Sequence, residues 1–99
     1  MLIHNVFFWL KAETSDEQIT QFRAGLESLK AITAAEAVYV GTPADVADRP
    51  VLDKSYHYCL TVLLPDVAAH DVYQADPIHQ DFINRFKPLW ERVQVYDAD

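Results

Sequence analysis

Glycine is scarce: only Gly25 and Gly41 occur in the 99 residues. That excludes a glycine-rich phosphate loop, a dinucleotide-binding fingerprint and a strained nucleophile elbow, each of which needs several glycines at close spacing. Cysteine is scarcer still, since Cys59 stands alone and no intrachain disulfide can form. In mid-strand, among apolar neighbours and without an adjacent base, it reads as an inert packed thiol. The missing disulfide framework fits a reducing compartment, and a cytoplasmic location is expected. Positive charge is also short, with 8 Lys and Arg against 15 Asp and Glu and a net charge of −7. Such a surface repels a phosphate backbone, so nucleic acid is not an expected partner. No uninterrupted apolar run approaches the ~18 residues of a membrane helix. Met1-Leu-Ile-His4 lacks the basic start of a secretory signal, so neither a membrane partner nor a leader is expected.

What is abundant is apolar material, at 51% of residues, enough to fold one domain over 1–99 without a metal or disulfide staple. Leu2 to Leu10 is apolar on both alternating faces apart from His4 and Asn5, which predicts a strand covered on each side. Thr14 and Ser15 precede Glu17 and Gln18 with capping-box spacing, and Ile19, Phe22, Leu26 and Leu29 follow at helical intervals, so a helix is expected over about 16–31. A second strand is expected over 35–40, ending at Gly41, and a proline- and aspartate-bearing loop over 41–54, either functional or mobile. Tyr56 to Leu64 supplies a third strand. Asp66 caps a short helix to about Tyr73, and Asp76-Pro77 opens another whose stripe is Ile78, Phe82, Phe86 and Leu89 until Pro88 kinks or ends it. Arg92 to Tyr96 alternates as a last strand.

The order β-α-β-β-α-β is that of an α+β, ferredoxin-like sheet with helices on one face. The first strand has Ile3, Phe7 and Trp9 on one side and Leu2, Val6, Phe8 and Leu10 on the other, while helices can cover one side only. A second copy of the chain is the simplest cover for the remainder, which predicts a homodimer.

Four histidines lie on four elements without metal-site spacing, so no metal is expected. Asp76-Pro-Ile-His79-Gln-Asp81 gathers donor atoms, but Asp76 is accounted for as a cap and Asp81 as a solvated helix residue. His57 and His70 read as surface histidines. His4 interrupts the most apolar strand and therefore needs a partner, either backbone within the core or groups lining a pocket. His79 has the same two readings. Tyr73 and Trp90 read as core aromatics whose polar atoms need hydrogen bonds.

Ile3-His4-Asn5-Val6, the Val40-Gly41 strand end, Tyr73-Gln-Ala-Asp-Pro77-Ile-His79, and Pro88-Leu-Trp90 with Tyr96-Asp97 together resemble the stress-responsive dimeric A/B barrel (Dabb) domain family across the whole chain. The resemblance implies a ferredoxin-like monomer whose sheet joins a partner's in an α+β barrel. That family holds stress-linked proteins without an assigned reaction, beside a plant polyketide cyclase that performs a cofactor-free aldol condensation. By resemblance, His79, Tyr73 and Asp97 match the cyclase's catalytic positions, and His4 matches a pocket histidine. Trp90 is assigned to the same pocket, and Leu26 stands where the cyclase pocket carries a tyrosine. The expected function is binding of a small apolar or aromatic molecule without a cofactor. The alternatives are a cofactor-independent acid/base enzyme or a ferredoxin-like monooxygenase. A pocket touching His79 favours an enzyme, and a filled core favours binding or structure alone.

Overall fold

Alternation in the first strand decides the architecture. The computed structural model describes residues 1–99, and β1 (Leu2–Leu10) buries its even positions while its odd positions stay partly exposed. β1 pairs antiparallel with β3 (Tyr58–Leu64) on one side and with β4 (Trp90–Ala98) on the other, and β2 (Ala37–Gly41) adds to β3, giving the order β2-β3-β1-β4. This is the ferredoxin-like α+β arrangement that the sequence pattern predicts. β4 runs longer than the expected 92–96 because it pairs along nearly all of β1, from Ile3↔Ala98 to Leu10↔Trp90, with a bulge at Trp9/Leu10. β3 starts at Tyr58, two residues later than expected. At that end the ladder gives way to a side chain: His57 N–H still donates to Phe8 O, while the His57 ring accepts Leu10 N–H on Nδ1.

Three helices lie on the face of the even residues: α1 (Asp16–Ser28, continued by a 3-10 turn Leu29–Ala31), α2 (Val67–Ala75) and α3 (Pro77–Phe86). α1 begins where a capping box satisfies two orphan amides, since Ser15 Oγ accepts from Gln18 N–H and Gln18 Oε1 accepts from Ser15 N–H, together worth about 1 kcal/mol or more. α2 and α3 are separated at Asp76, whose carboxylate caps Ile78 N–H while Pro77 occupies the first helical position. Phe22 of α1 is the hub of the core, its ring within 6 Å of those of Phe8, Phe82 and Phe86. No helix is long and apolar enough to cross a membrane.

At 18 Å in its thinnest dimension the chain is one sheet under one helix layer. The opposite sheet face therefore carries Ile3, Phe7, Trp9, Tyr39 and Tyr96, of which Ile3, Tyr39 and Tyr96 are exposed. Cys59 points to this face half-buried, with Thr61 Oγ1 as its neighbour. The loop between β2 and β3 folds onto the rim of the face. Tyr56 packs on Phe7 and Trp9, Trp9 Nε1–H donates to Ser55 Oγ, and Lys54 reaches Val46 O and Asp48.

Candidate functional site

His4 occupies the core row of β1 between Leu2 and Val6 and is 5% exposed. An unpaired imidazole there would carry a desolvation penalty of a few kcal/mol. Strand register provides the partner. His4 stands opposite Asp97 on β4, and its Nδ1 lies 2.5 Å from Asp97 Oδ1. A carboxylate accepts only, so in the neutral ring Nδ1 carries the proton and Nε2 keeps a free lone pair.

The turn at Asp76-Pro77 brings the end of α2 against the start of α3. Tyr73 and His79 meet edge to face with ring centroids 4.9 Å apart, and Tyr73 also lies 6.1 Å from the His4 ring. Tyr73 Oη, His79 Nδ1 and Trp90 Nε1 are buried and have no hydrogen-bond partner in the protein. Burial pushes the Tyr73 phenol above its ordinary range, so it stays protonated at any physiological pH. Burial, followed by the neighbouring His4 and His70, lowers the His79 pKa below its ordinary 6.5, with Asp76 opposing. His79 is therefore neutral near pH 7.

Between β1, β4 and the α2–α3 pair lies a pocket of about 150 Å³. Phe8, Phe82, Ile83, Trp90, Val93 and Val95 supply its apolar walls, and His4, Gln74 and His79 its polar points. It exists because the helices stop short of the edge strand. Val93 and Val95 share the helix-facing side with Phe8 and Val6 yet remain 37% and 43% exposed.

The residues singled out in the sequence divide accordingly. His4, His79 and Trp90 line the pocket, and Tyr73 stands fully buried behind His79. The expectation is His79 within hydrogen-bond reach of Tyr73 or Asp97, but Asp97 is tied to His4, because a β4 residue paired with His4 emerges beside β1, whereas His79 is held across the pocket on α3. Tyr73 and His79 touch through their rings without a hydrogen bond. Leu26 is not on the wall: α1 contributes no residue to the pocket, and Leu26 is fully buried in the core. His70, expected at the surface, is half-buried with its ring 5.1 Å from that of His4. The spacing of His70, Tyr73 and Gln74 at i, i+3 and i+4 puts all three on one helix face, a signal present in the sequence.

No curated protein sequence matches the chain, whereas solved structures match it along its length. A Mesorhizobium loti Dabb family protein with a ferredoxin-like fold is 24% identical, with a TM-score of 0.78 over 99% of this chain and 94% of that one. A hydroxynitrile lyase from Passiflora edulis is also 24% identical, with a TM-score of 0.79 over 98% and 90%. A dimeric ferredoxin-like protein of unknown function from Thermobifida fusca is 17% identical, with a TM-score of 0.80 over 98% and 88%. At these identities the shared property is the fold. The profile of the stress responsive A/B barrel domain matches residues 2–99, and the chain belongs to that family.

Proposed function

We propose that the protein works as a homodimer in which each chain takes a small aromatic or apolar molecule, bearing at least one polar group, into the pocket between its sheet and helices. The observation that carries this reading is a pocket with apolar walls whose lining residues His79 and Trp90 each hold a buried polar atom without a partner in the protein, Nδ1 and Nε1. Folded proteins rarely leave such atoms unpaired, and a ligand that pairs them removes the penalty. The volume sets the size class, since a cavity of about 150 Å³ holds a benzene-sized molecule. A single substituted ring matches that volume. The bare aromatic sheet face supports the dimer, as does the dimeric description of the Thermobifida fusca relative. No cofactor is needed for binding of this kind.

A nuclear magnetic resonance titration tests the binding, using 2′-hydroxyacetophenone and p-cresol as probes. The Trp90 indole resonance, assigned with Trp9→Phe, is expected to shift saturably together with His79 and Ile83. Shifts confined to Phe7 and Trp9, or none that saturate, would remove the reading.

The pairing of His4 with Asp97 favours one further step, cofactor-independent acid/base chemistry. A proton leaves the carbon beside a bound carbonyl for His4 Nε2, its electron pair moves onto the carbonyl oxygen as an enolate, and Asp97 stabilises the imidazolium formed. Trp90 Nε1–H has a hydrogen to offer the oxyanion. Exchange of the acetophenone methyl protons with deuterium oxide reports this step directly. Loss of the base in His4→Gln is expected to slow it about 10²–10⁴-fold. Equal rates in wild type and variant would leave binding alone.

A further inference from the structure

His4, His70 and Asp97 come from three different elements, β1, α2 and β4, yet one ligand-capable atom from each lies within 4.8 Å of the other two. We propose that these three residues form a binding site for a borderline divalent ion of the zinc class at the edge of the sheet. The site stands on their geometry and not on the occupant of the pocket, although it shares His4 and Asp97 with the acid/base reading.

Donor type selects the ion. Two imidazoles and one carboxylate suit Zn²⁺, Co²⁺ or Ni²⁺, whereas Mg²⁺ and Ca²⁺ call for oxygen throughout. Three protein ligands leave one tetrahedral position for water or another small donor. Distance comes next. At a metal–ligand bond of about 2.1 Å, tetrahedral ligand atoms sit about 3.4 Å apart. The His4–Asp97 contact of 2.5 Å must therefore open by about 1 Å, and the widest pair must close by somewhat more.

Both movements are available. The Asp97 side chain is 41% exposed at a strand edge, so it can shift without disturbing the core. His70 has only long contacts, 3.4 Å to Asp71 and 3.4 Å to Gln74, and is the one imidazole of the trio with no short partner to surrender. His4 needs no movement, because its position in the buried row of β1 already presents the ring to α2. An ion here would tie α2 to both strands, and it would draw on the same carboxylate that pairs with His4. Ion binding and the base role of His4 therefore oppose each other.

The test is a titration of the chelator-treated full chain with Zn²⁺, Co²⁺ and Mg²⁺, each as the metal alone, by competition with a chromogenic chelator. One Zn²⁺ per chain is expected, Co²⁺ should give the intense visible bands of four-coordination, and Mg²⁺ should not compete. His70→Ala and Asp97→Asn, both outside the fully buried core, should each weaken Zn²⁺ at least tenfold with circular dichroism unchanged. His57→Ala, whose ring is already occupied by Leu10 N–H, should not. No Zn²⁺ binding by the wild type, or equal affinity in wild type, His70→Ala and Asp97→Asn, overturns the proposal. The organic probes are titrated with EDTA present, so failure of the ion site and failure of ligand binding are separate results.

Discussion

Replacing Gly25 with alanine tests how closely α1 and α3 approach. A Cβ at this position would lie 2.2 Å from Phe86 Cε2 and 2.8 Å from its Cζ, about 1.3 Å inside an ordinary carbon contact at the nearer atom. The Phe86 ring is 3% exposed, and the Phe22 and Phe82 rings pack on it at 5.5 Å each, so it has no free volume to retreat into. Overpacking of this kind costs about 1–3 kcal/mol, and the hardness of the contact argues for the upper half of that range. Alanine's better helix propensity returns about 1 kcal/mol, leaving a net loss of roughly 1–2 kcal/mol. For a domain this size that lowers the melting temperature by at least about 4 °C. Calorimetry at fixed protein concentration measures it, and Phe86→Leu in the same chain should recover part of the loss in a double-mutant cycle. Because α3 also carries His79, ligand affinity should fall with it. An unchanged or raised melting temperature, which helix propensity alone predicts, refutes the reasoning.

Trp9→Glu places a charge on the bare sheet face, and light scattering should show the particle falling from twice the chain mass to 11.3 kDa; a wild type already monomeric at micromolar concentration would count against the dimer. Subtilisin should cut first between Ala44 and Val51, where the chain is exposed and outside helix and strand, and first cleavage inside β1 or α3 would contradict this. His79 gives a pH dependence of known sign. Its folded pKa lies below the ordinary 6.5, so its contribution is intact above that value and is lost as pH falls through it, when the unfolded chain takes up the proton first. Urea midpoints at pH 7.5 and 5.0 should therefore differ less in His79→Asn than in the wild type, and identical differences would show that His79 is not the group responsible.

Much of this was legible in local pattern. The capping box at Ser15, the Asp76-Pro77 break and the two-faced apolar alternation of β1 are decided within a few residues, and the structure realises each of them. The extent of β4 was not, because Trp90 and Asp97 lie outside the local alternation until their pairing with Leu10 and His4 is known. The partner of Asp97 depends on register between residues 93 positions apart, which no local spacing encodes. His70 reads as an exposed helix histidine for the same reason: only the packing of α2 over β1 brings it to His4. Gly25 carries no sequence signature at all, since its requirement lies in Phe86, sixty-one residues later.

The unpaired atoms beside the pocket act as a filter as well as an anchor. A hydrocarbon of matching shape would gain the apolar walls and leave His79 Nδ1 and Trp90 Nε1 as unpaired as they already are, whereas a ring with a polar group would also pair the one it reaches. Each group so paired recovers about 1–3 kcal/mol, roughly a 5- to 150-fold gain of affinity apiece. Selectivity for the proposed ligand would thus be lopsided: a ring deprived of its oxygen forfeits far more than one that gains or loses a methyl group.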